Sequence, residues 1–371
     1  MIRRIVQILP SFQKRDAIGN HAYHMSEIIR DEGYESAIYA ERGGDGSLPI
    51  QDFLSREDES SLAIFHFSTG SEIPYLLARF KGYVVTDFHN ITPSVYFAEA
   101  SDTQQRTACR LGELQVELVR SVSNELWADS DFNGDQLLEQ GFSSYSTLPI
   151  LRDYSRLKKL AEAGRVLSSD KNNIVFVGRF APNKAQHDIV RVFSLYQKNF
   201  DRRGRLVLVG SHSGEYKNEV MAYAEALGLK VTTQLDDSSA DVVAPGSITD
   251  SDLARVYRDA QAFLCLSDHE GFCVPILEAM SFGVPVVAHK STALGETVGS
   301  GGILVDKAEP MAVLSSLYKI THDSSTFKYW QERSLDRVKE LSLTRTRQRF
   351  VELLNGAVRR RLDCNPSKDL S

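Results

Sequence analysis

Several things the chain has little of narrow its class before any motif is read. Only four of its 371 residues are cysteine. Cys109, Cys265, Cys273 and Cys364 show no metal-ligand spacing, so neither a disulfide framework nor a structural zinc site is expected. No apolar run approaches the ~20 residues that cross a bilayer. The opening MIRRIVQILP is too short in its apolar part for a secretory signal and is broken by Gln7 and Pro10, so a cytoplasmic location is the expectation. Positive charge is not in excess: 43 Lys and Arg against 49 Asp and Glu leave −6, which gives no support to nucleic-acid binding by bulk charge. The glycine fingerprint G-x-G-x-x-G is missing after either opening strand, which argues against a nicotinamide dehydrogenase. With neither G-x-S-x-G nor a P-loop, hydrolase and NTPase readings lose their motifs too. What remains is an ordinary globular composition, 42% hydrophobic and 25% charged, long enough for two domains at ~150 residues each.

Short β-branched and aromatic runs alternate with helical patterns, the sign of parallel sheets covered by helices on both faces. The first series of strands is RIVQILP, SAIYA, LAIFHFS, YVVTDFH, ELWADS and STLPI; the second is NIVFVGR, RLVLVG, KVTTQL, AFLCLS, VPVVAHK and GGILVD. A polar stretch from Arg152 to Asn172 separates them and is read as the interdomain connection. The expected fold class is α/β, two doubly wound Rossmann-like domains facing a cleft. The boundaries are 1–151 and 152–343, with a C-terminal helix at about 344–362 returning to the first domain.

The stretch EGFCVPILE, Glu270 to Glu278, holds two acids eight positions apart around an apolar run. One continuous helix would set them about 12 Å apart along the axis and about 80° apart around it. Gly271 and Pro275 argue instead for a loop that becomes a helix near Pro275. Strand, glycine-containing loop and helix start together make an anion site, because the first helical N–H groups are unpaired. Two acids beside an anion would repel it, so they are expected to accept hydrogen bonds from hydroxyls attached to it. Phosphate flanked by hydroxyls suggests a nucleotide sugar. In VGRFAPNKAQHD, Arg179 and Lys184 stand five residues apart beyond the first strand of the second series, on the same rim, where they can neutralise a diphosphate.

GRFAPNK followed by SDHEGFCVPILEAMSFGVPVVA resembles the donor-site signature of the retaining glycosyltransferases of family 4, with the GT-B fold. The resemblance in element order extends over essentially the whole chain. It implies that Arg179 and Lys184 bind the donor diphosphate and that the backbone of Phe272, Cys273 and Val274 meets its distal phosphate. It implies further that Glu278 holds the ribose hydroxyls, while Glu270 faces the transferred sugar. His89, at the end of the strand in TDFHNITP, corresponds to a histidine that lines the sugar pocket in similar enzymes. It enters the candidate catalytic set with Glu270, Arg179 and Lys184, as a hydrogen-bonding group for the sugar or for developing charge. His21, His24 and His66 are left out. Gly19, between the first strand and helix, is read as a close-approach position for ligand, although relatives often carry two adjacent glycines there.

The implied activity is metal-independent transfer of a hexose, with retention, from a UDP- or GDP-linked donor such as GDP-mannose or a UDP-hexose. The acceptor would be a saccharide or lipid-linked saccharide, as in surface polysaccharide or lipopolysaccharide synthesis. No other cofactor and no metal is expected; a nucleotide-sugar epimerase of the same fold is the alternative. Both DSD strings, Asp129–Asp131 and Asp250–Asp252, precede helix patterns and are read as helix caps, not metal ligands. Phe12, Tyr96 and Phe97 with Lys14 and Arg15, and the basic run Arg359–Arg361, suggest a peripheral membrane contact.

Overall fold

Parallel strands buried on both faces need near-continuous apolar stretches, and the central strands here are mostly apolar. The computed structural model describes residues 2–44, 46–98, 103–161, 171–211 and 215–363; Cys364 and positions 162–170 of the expected connection lie outside them. Two compact units divide the chain. The first comprises Met1–Ser94, Gln104–Arg152 and Leu341–Ser371, and the second Val95–Thr103 and Asp153–Glu340.

In the first unit the strands are β1 (Arg4–Ser11), β2 (Glu35–Arg42), β3 (Leu48–Pro49), β4 (Ser61–Phe67), β5 (Tyr83–Phe88), β6 (Glu125–Ala128) and β7 (Ser146–Thr147). All pair in parallel, in the order β3-β2-β1-β4-β5-β6-β7. The chain winds outward from β1 and then returns to β4, so the topological switch point, where ligands of such sheets bind, lies between β1 and β4. The first helix, Ala17–Asp31, starts four residues before His21 and is capped by the Asp16 side chain, which accepts from the Gly19 N–H. Gly33, with φ of 88°, follows its C-cap as expected.

The last helix, Leu343–Asp363, packs on this same sheet. Phe350, Leu353, Leu354 and Ala357 join Ile5, Ile29, Leu62, Val85 and Trp127 in one core. At its basic end Arg360 pairs with Glu125 at 2.6 Å and Arg361 donates to the Glu59 carbonyl at 2.8 Å, while Arg359 is exposed. Phe12 and Phe97 are buried, each 2% exposed. Two of the three aromatic residues read as a membrane contact are therefore packed in the interior, and Tyr96 is half-buried.

The second unit repeats the plan with β8 (Asn172–Val177), β9 (Gly204–Val209), β10 (Val231–Thr232), β11 (Val242–Gly246), β12 (Ala260–Cys265), β13 (Val286–His289) and β14 (Ile303–Val305). The order is β10-β11-β9-β8-β12-β13-β14, all parallel. Its switch point falls between β8 and β12. Strand β11 was not expected from the sequence: VVAPG contains Pro245 and Gly246, both poor strand formers, and its ladder shifts register between Val243 and Gly246. The expected connection is also more than a linker, because it carries a helix, Ser155–Ala161, with Leu157 and Ala161 buried. Arg258 donates to the Ala161 carbonyl at 2.7 Å and ties that helix into the second unit.

Candidate active site

At the second switch point the loops after β8 and β12 are strapped together. Buried Asn183 is the tie, because its carbonyl accepts from Asp268 N–H at 2.9 Å and its side-chain amide donates to the His269 carbonyl at 3.1 Å. That contact brings Lys184 Nζ to 2.7 Å from the Glu270 carboxylate, with both side chains mostly buried. Arg179 heads the same loop, half-buried, and its carbonyl accepts from Gln186 at 3.0 Å. Burial, helped by the Lys184 charge, lowers His269 to about 4, so it is neutral at physiological pH.

The helix Val274–Ser281 opens at Cys273, whose φ of 72° turns the backbone left-handed, with Pro275 in the first turn. Glu270 therefore stands on the loop while Glu278 sits within the helix, as the glycine and proline led one to expect. Thr292 accepts from the Glu270 N–H at 3.0 Å, and the Thr297 hydroxyl donates to the Phe272 carbonyl; together they brace the loop. Glu278 is only 4% exposed, and the Tyr257 hydroxyl donates to it at 3.0 Å. Cys265, Glu270 and Cys273 have ligand atoms within 4.8 Å of one another. The contact between the two thiols lowers Cys265 and raises Cys273.

In the first unit, side chains from five segments converge at the switch point. His66 in β4 meets His89 (Nδ1 to Nε2, 2.9 Å) and Gln7 of β1 (Nε2 to Oε1, 2.9 Å). His21 of the first helix reaches Asp87 of β5 at 2.9 Å, and His89 Nδ1 faces Asp129 at 3.4 Å. Burial opposes charge throughout. It lowers His21 and His66 despite Asp87, and raises Asp129 to about 6 against the pull of His89. For Asp87 burial is outweighed by the neighbouring histidines, and its carboxyl is lowered. For His89 it is outweighed by Asp87 and Asp129, and the ring is raised.

Three sequence readings change here. Gly19 lies in the first helical turn and not in the loop before it, with its N–H 2.5 Å from Asp16, and an added Cβ would sit 2.0 Å from the Gln13 carbonyl oxygen. The glycine is needed because the chain folds back on itself there. The first DSD string does cap its helix, through Ser130, which leaves the Asp129 carboxylate facing His89, whereas the second does not. Before the helix Asp250–Arg258 the cap is Thr249, with both aspartates in the first turn. His21 and His66, left out of the candidate catalytic set, join His89 and Asp87 with ligand atoms all within 4.8 Å. A signal existed: Gln7, His66 and Asp87 interrupt strands that are otherwise apolar.

Residues 159–337 match the family model described as Glycosyl transferases group 1. O-antigen chain mannosyltransferase B of Escherichia coli is 29% identical over 195 residues, 53% of this chain and 45% of that protein, so the chain spans less than half the length of this curated relative. Among solved structures, Anabaena HepE in complex with UDP-glucose superposes with a TM-score of 0.72 at 16% identity, covering 95% of this chain and 99% of that one. WaaG, a glycosyltransferase involved in lipopolysaccharide biosynthesis, gives 0.68 at 14%, covering 95% and 100%. Among the described residues no helix is long and apolar enough to cross a membrane. Two seven-stranded parallel sheets of the GT-B fold, the second carrying the braced loop between Lys184 and Glu278, agree with the family match: residues 159–337, just under half of the chain, are similar to the glycosyl transferases group 1 family.

Proposed function

We propose that the chain is a retaining, metal-independent hexosyltransferase that uses a nucleotide diphosphate sugar, GDP-mannose or a UDP-hexose, and a saccharide or lipid-linked acceptor. The observation that carries the reading is the contact of Lys184 with Glu270, 2.7 Å, at the mouth of the Val274–Ser281 helix. An ammonium has three donors, and Glu270 occupies one, so the others can meet phosphate oxygens beside the unpaired helical N–H groups. Arg179 supplies the second cation. With positive charge and amide donors in place, the leaving diphosphate is stabilised as charge grows on it, without a metal. Glu278, oriented by Tyr257, accepts from the ribose hydroxyls, and Glu270 from the transferred sugar. His89 serves the sugar or the developing charge.

A mannosyltransferase among the relatives and a UDP-glucose complex among the structural neighbours support a nucleotide-sugar donor and leave both bases open. The O-antigen and lipopolysaccharide names of relatives support a surface-saccharide acceptor, reached from the cytoplasmic side of the membrane. The epimerase alternative gains no support from the relatives named above. The test is transfer from a panel of UDP- and GDP-sugars to saccharide acceptors, read by product mass and anomeric configuration, with and without a chelator. Turnover that survives unchanged in Arg179→Ala and Lys184→Ala would end the diphosphate-clamp reading.

A further inference from the structure

The hydrogen bonds at the first switch point run in one direction, and their direction can be worked out from groups with no choice. The Ala22 carbonyl can only accept, so it takes the Gln7 amide N–H at 2.8 Å and fixes which end of that amide is oxygen. Gln7 Oε1 then faces His66 Nε2 at 2.9 Å, which places a proton on that nitrogen. A neutral His66 has a bare Nδ1, 2.9 Å from His89 Nε2, so His89 donates there. Its other nitrogen faces the Asp129 carboxylate at 3.4 Å and donates as well. Two protons on one ring make an imidazolium. The charge rests on His89 and not on His66 because His89 has a carboxylate near each nitrogen, Asp87 at 3.4 Å and Asp129 at 3.4 Å, whereas His66 has Asp87 alone at 3.5 Å. On the other side, the Leu151 N–H donates to His21 Nδ1 at 2.8 Å, so the His21 proton sits on Nε2 and points at Asp87, 2.9 Å away.

Four ligand atoms within 4.8 Å of one another would also suit a transition metal. Two contacts favour protons. His21 Nδ1 is filled by a backbone donor, so Nε2 carries hydrogen where a metal needs a lone pair. The His66 and His89 rings lie within 8° of parallel with centroids 5.2 Å apart, so their nitrogens, 2.9 Å apart, point at each other and not at a common centre.

We propose that Gln7, His66 and His21 are positioning residues that hold His89 as an imidazolium, so that its part in the reaction is that of a fixed charge and not of a hydrogen-bond donor. Both of its N–H groups are already committed, and in a buried site a fixed charge acts over longer range than in water. The inference rests on the assignment of His89 to the reaction. The titratable groups facing the ring are Asp16, His21, His66, Asp87 and Asp129, with Arg152 acting on Asp16.

Nitrogen-15 NMR of the histidine-labelled full chain at neutral pH tests it without any substitution. Two protonated nitrogens are expected on His89, and protons on Nε2 alone for His21 and His66. Gln7→Met removes the acceptor that fixes His66, which can then donate to His89; the His89 midpoint should fall by about one pH unit, and the pH at which turnover is lost should fall with it. A singly protonated His89 in the wild type, an unmoved midpoint in folded Gln7→Met, or stoichiometric Co(II) binding with its visible absorption bands would overturn the proposal. A midpoint that moves while the pH–rate profile stays would refute the role of the charge in turnover. Absence of glycosyl transfer by the wild type would instead refute the function proposed above.

Discussion

Lys184→Met removes the ammonium while keeping most of the apolar stem, and so leaves Glu270 as a stranded carboxylate in a loop that hides all but 9% of the residue. Breaking a fully buried pair costs about 3–5 kcal/mol, and an exposed pair contributes about 0.2–1 kcal/mol. The Lys184–Glu270 side chains, 17% and 10% exposed, fall between these limits, at about 1–3 kcal/mol. Hydrogen exchange of the amides from Glu270 to Ser281 reads this as local opening, about 5-fold to 150-fold faster. Glu270→Gln in the same chain removes the stranded charge, so the double variant should recover much of the protection. A second measurement, calorimetry with UDP and GDP, should show binding weakened about 10-fold to 150-fold in Lys184→Met, the loss of a charge-assisted hydrogen bond. If the two substitutions add within about 0.5 kcal/mol and nucleotide affinity is unchanged, the pair neither braces the loop nor serves the diphosphate.

Trp127 is buried in the first unit, so its fluorescence in a Trp330→Phe background reports that unit's unfolding in each of the following cases. Phe350→Ala, although near the end of the chain, should destabilise the first unit by about 3–5 kcal/mol, because Phe350 is fully buried against Trp127; an unchanged urea midpoint would remove the last helix from that core. Asp129 is raised from 3.8 to about 6, so the folded state holds its proton more tightly than the unfolded state. That contribution is complete below the ordinary value and is lost as pH rises through about 6, a change of about 3 kcal/mol; Asp129→Asn should flatten this limb, and an identical pH dependence would refute the assignment. Gly19→Ala forces a Cβ against the Gln13 carbonyl and should cost about 1–3 kcal/mol, lowering Tm without a specific change in donor KM; the reverse pattern would return Gly19 to the ligand.

The architecture was largely open to inspection because buried parallel strands must be written as apolar runs, and RIVQILP, LAIFHFS and RLVLVG are such runs. Strand β11 escaped because Pro245 and Gly246 contradict the local rule and pairing on both sides overrides it. The turn from Glu270 into the helix was legible too, since Gly271 and Pro275 constrain only their own backbone. Partners were not. Nothing in the spacing of Lys184 and Glu270, or of Gln7, His66, His89 and Asp129, says that they touch, because each contact joins segments from different strands of the sheet.

By itself, then, the order of amino acids determined the two sheets, their helices and the loop that opens a helix beneath two acids, since propensity, capping and hydrophobic period act over a few residues. Tertiary structure alone decided which polar groups meet and who holds the proton. Lys184 became the partner of Glu270, the Arg360 side chain an anchor, and His89 the charged member of a buried chain. Hydrogen-bond direction and burial depend on groups brought together from far apart in the sequence, and only the folded sheet brings them within reach.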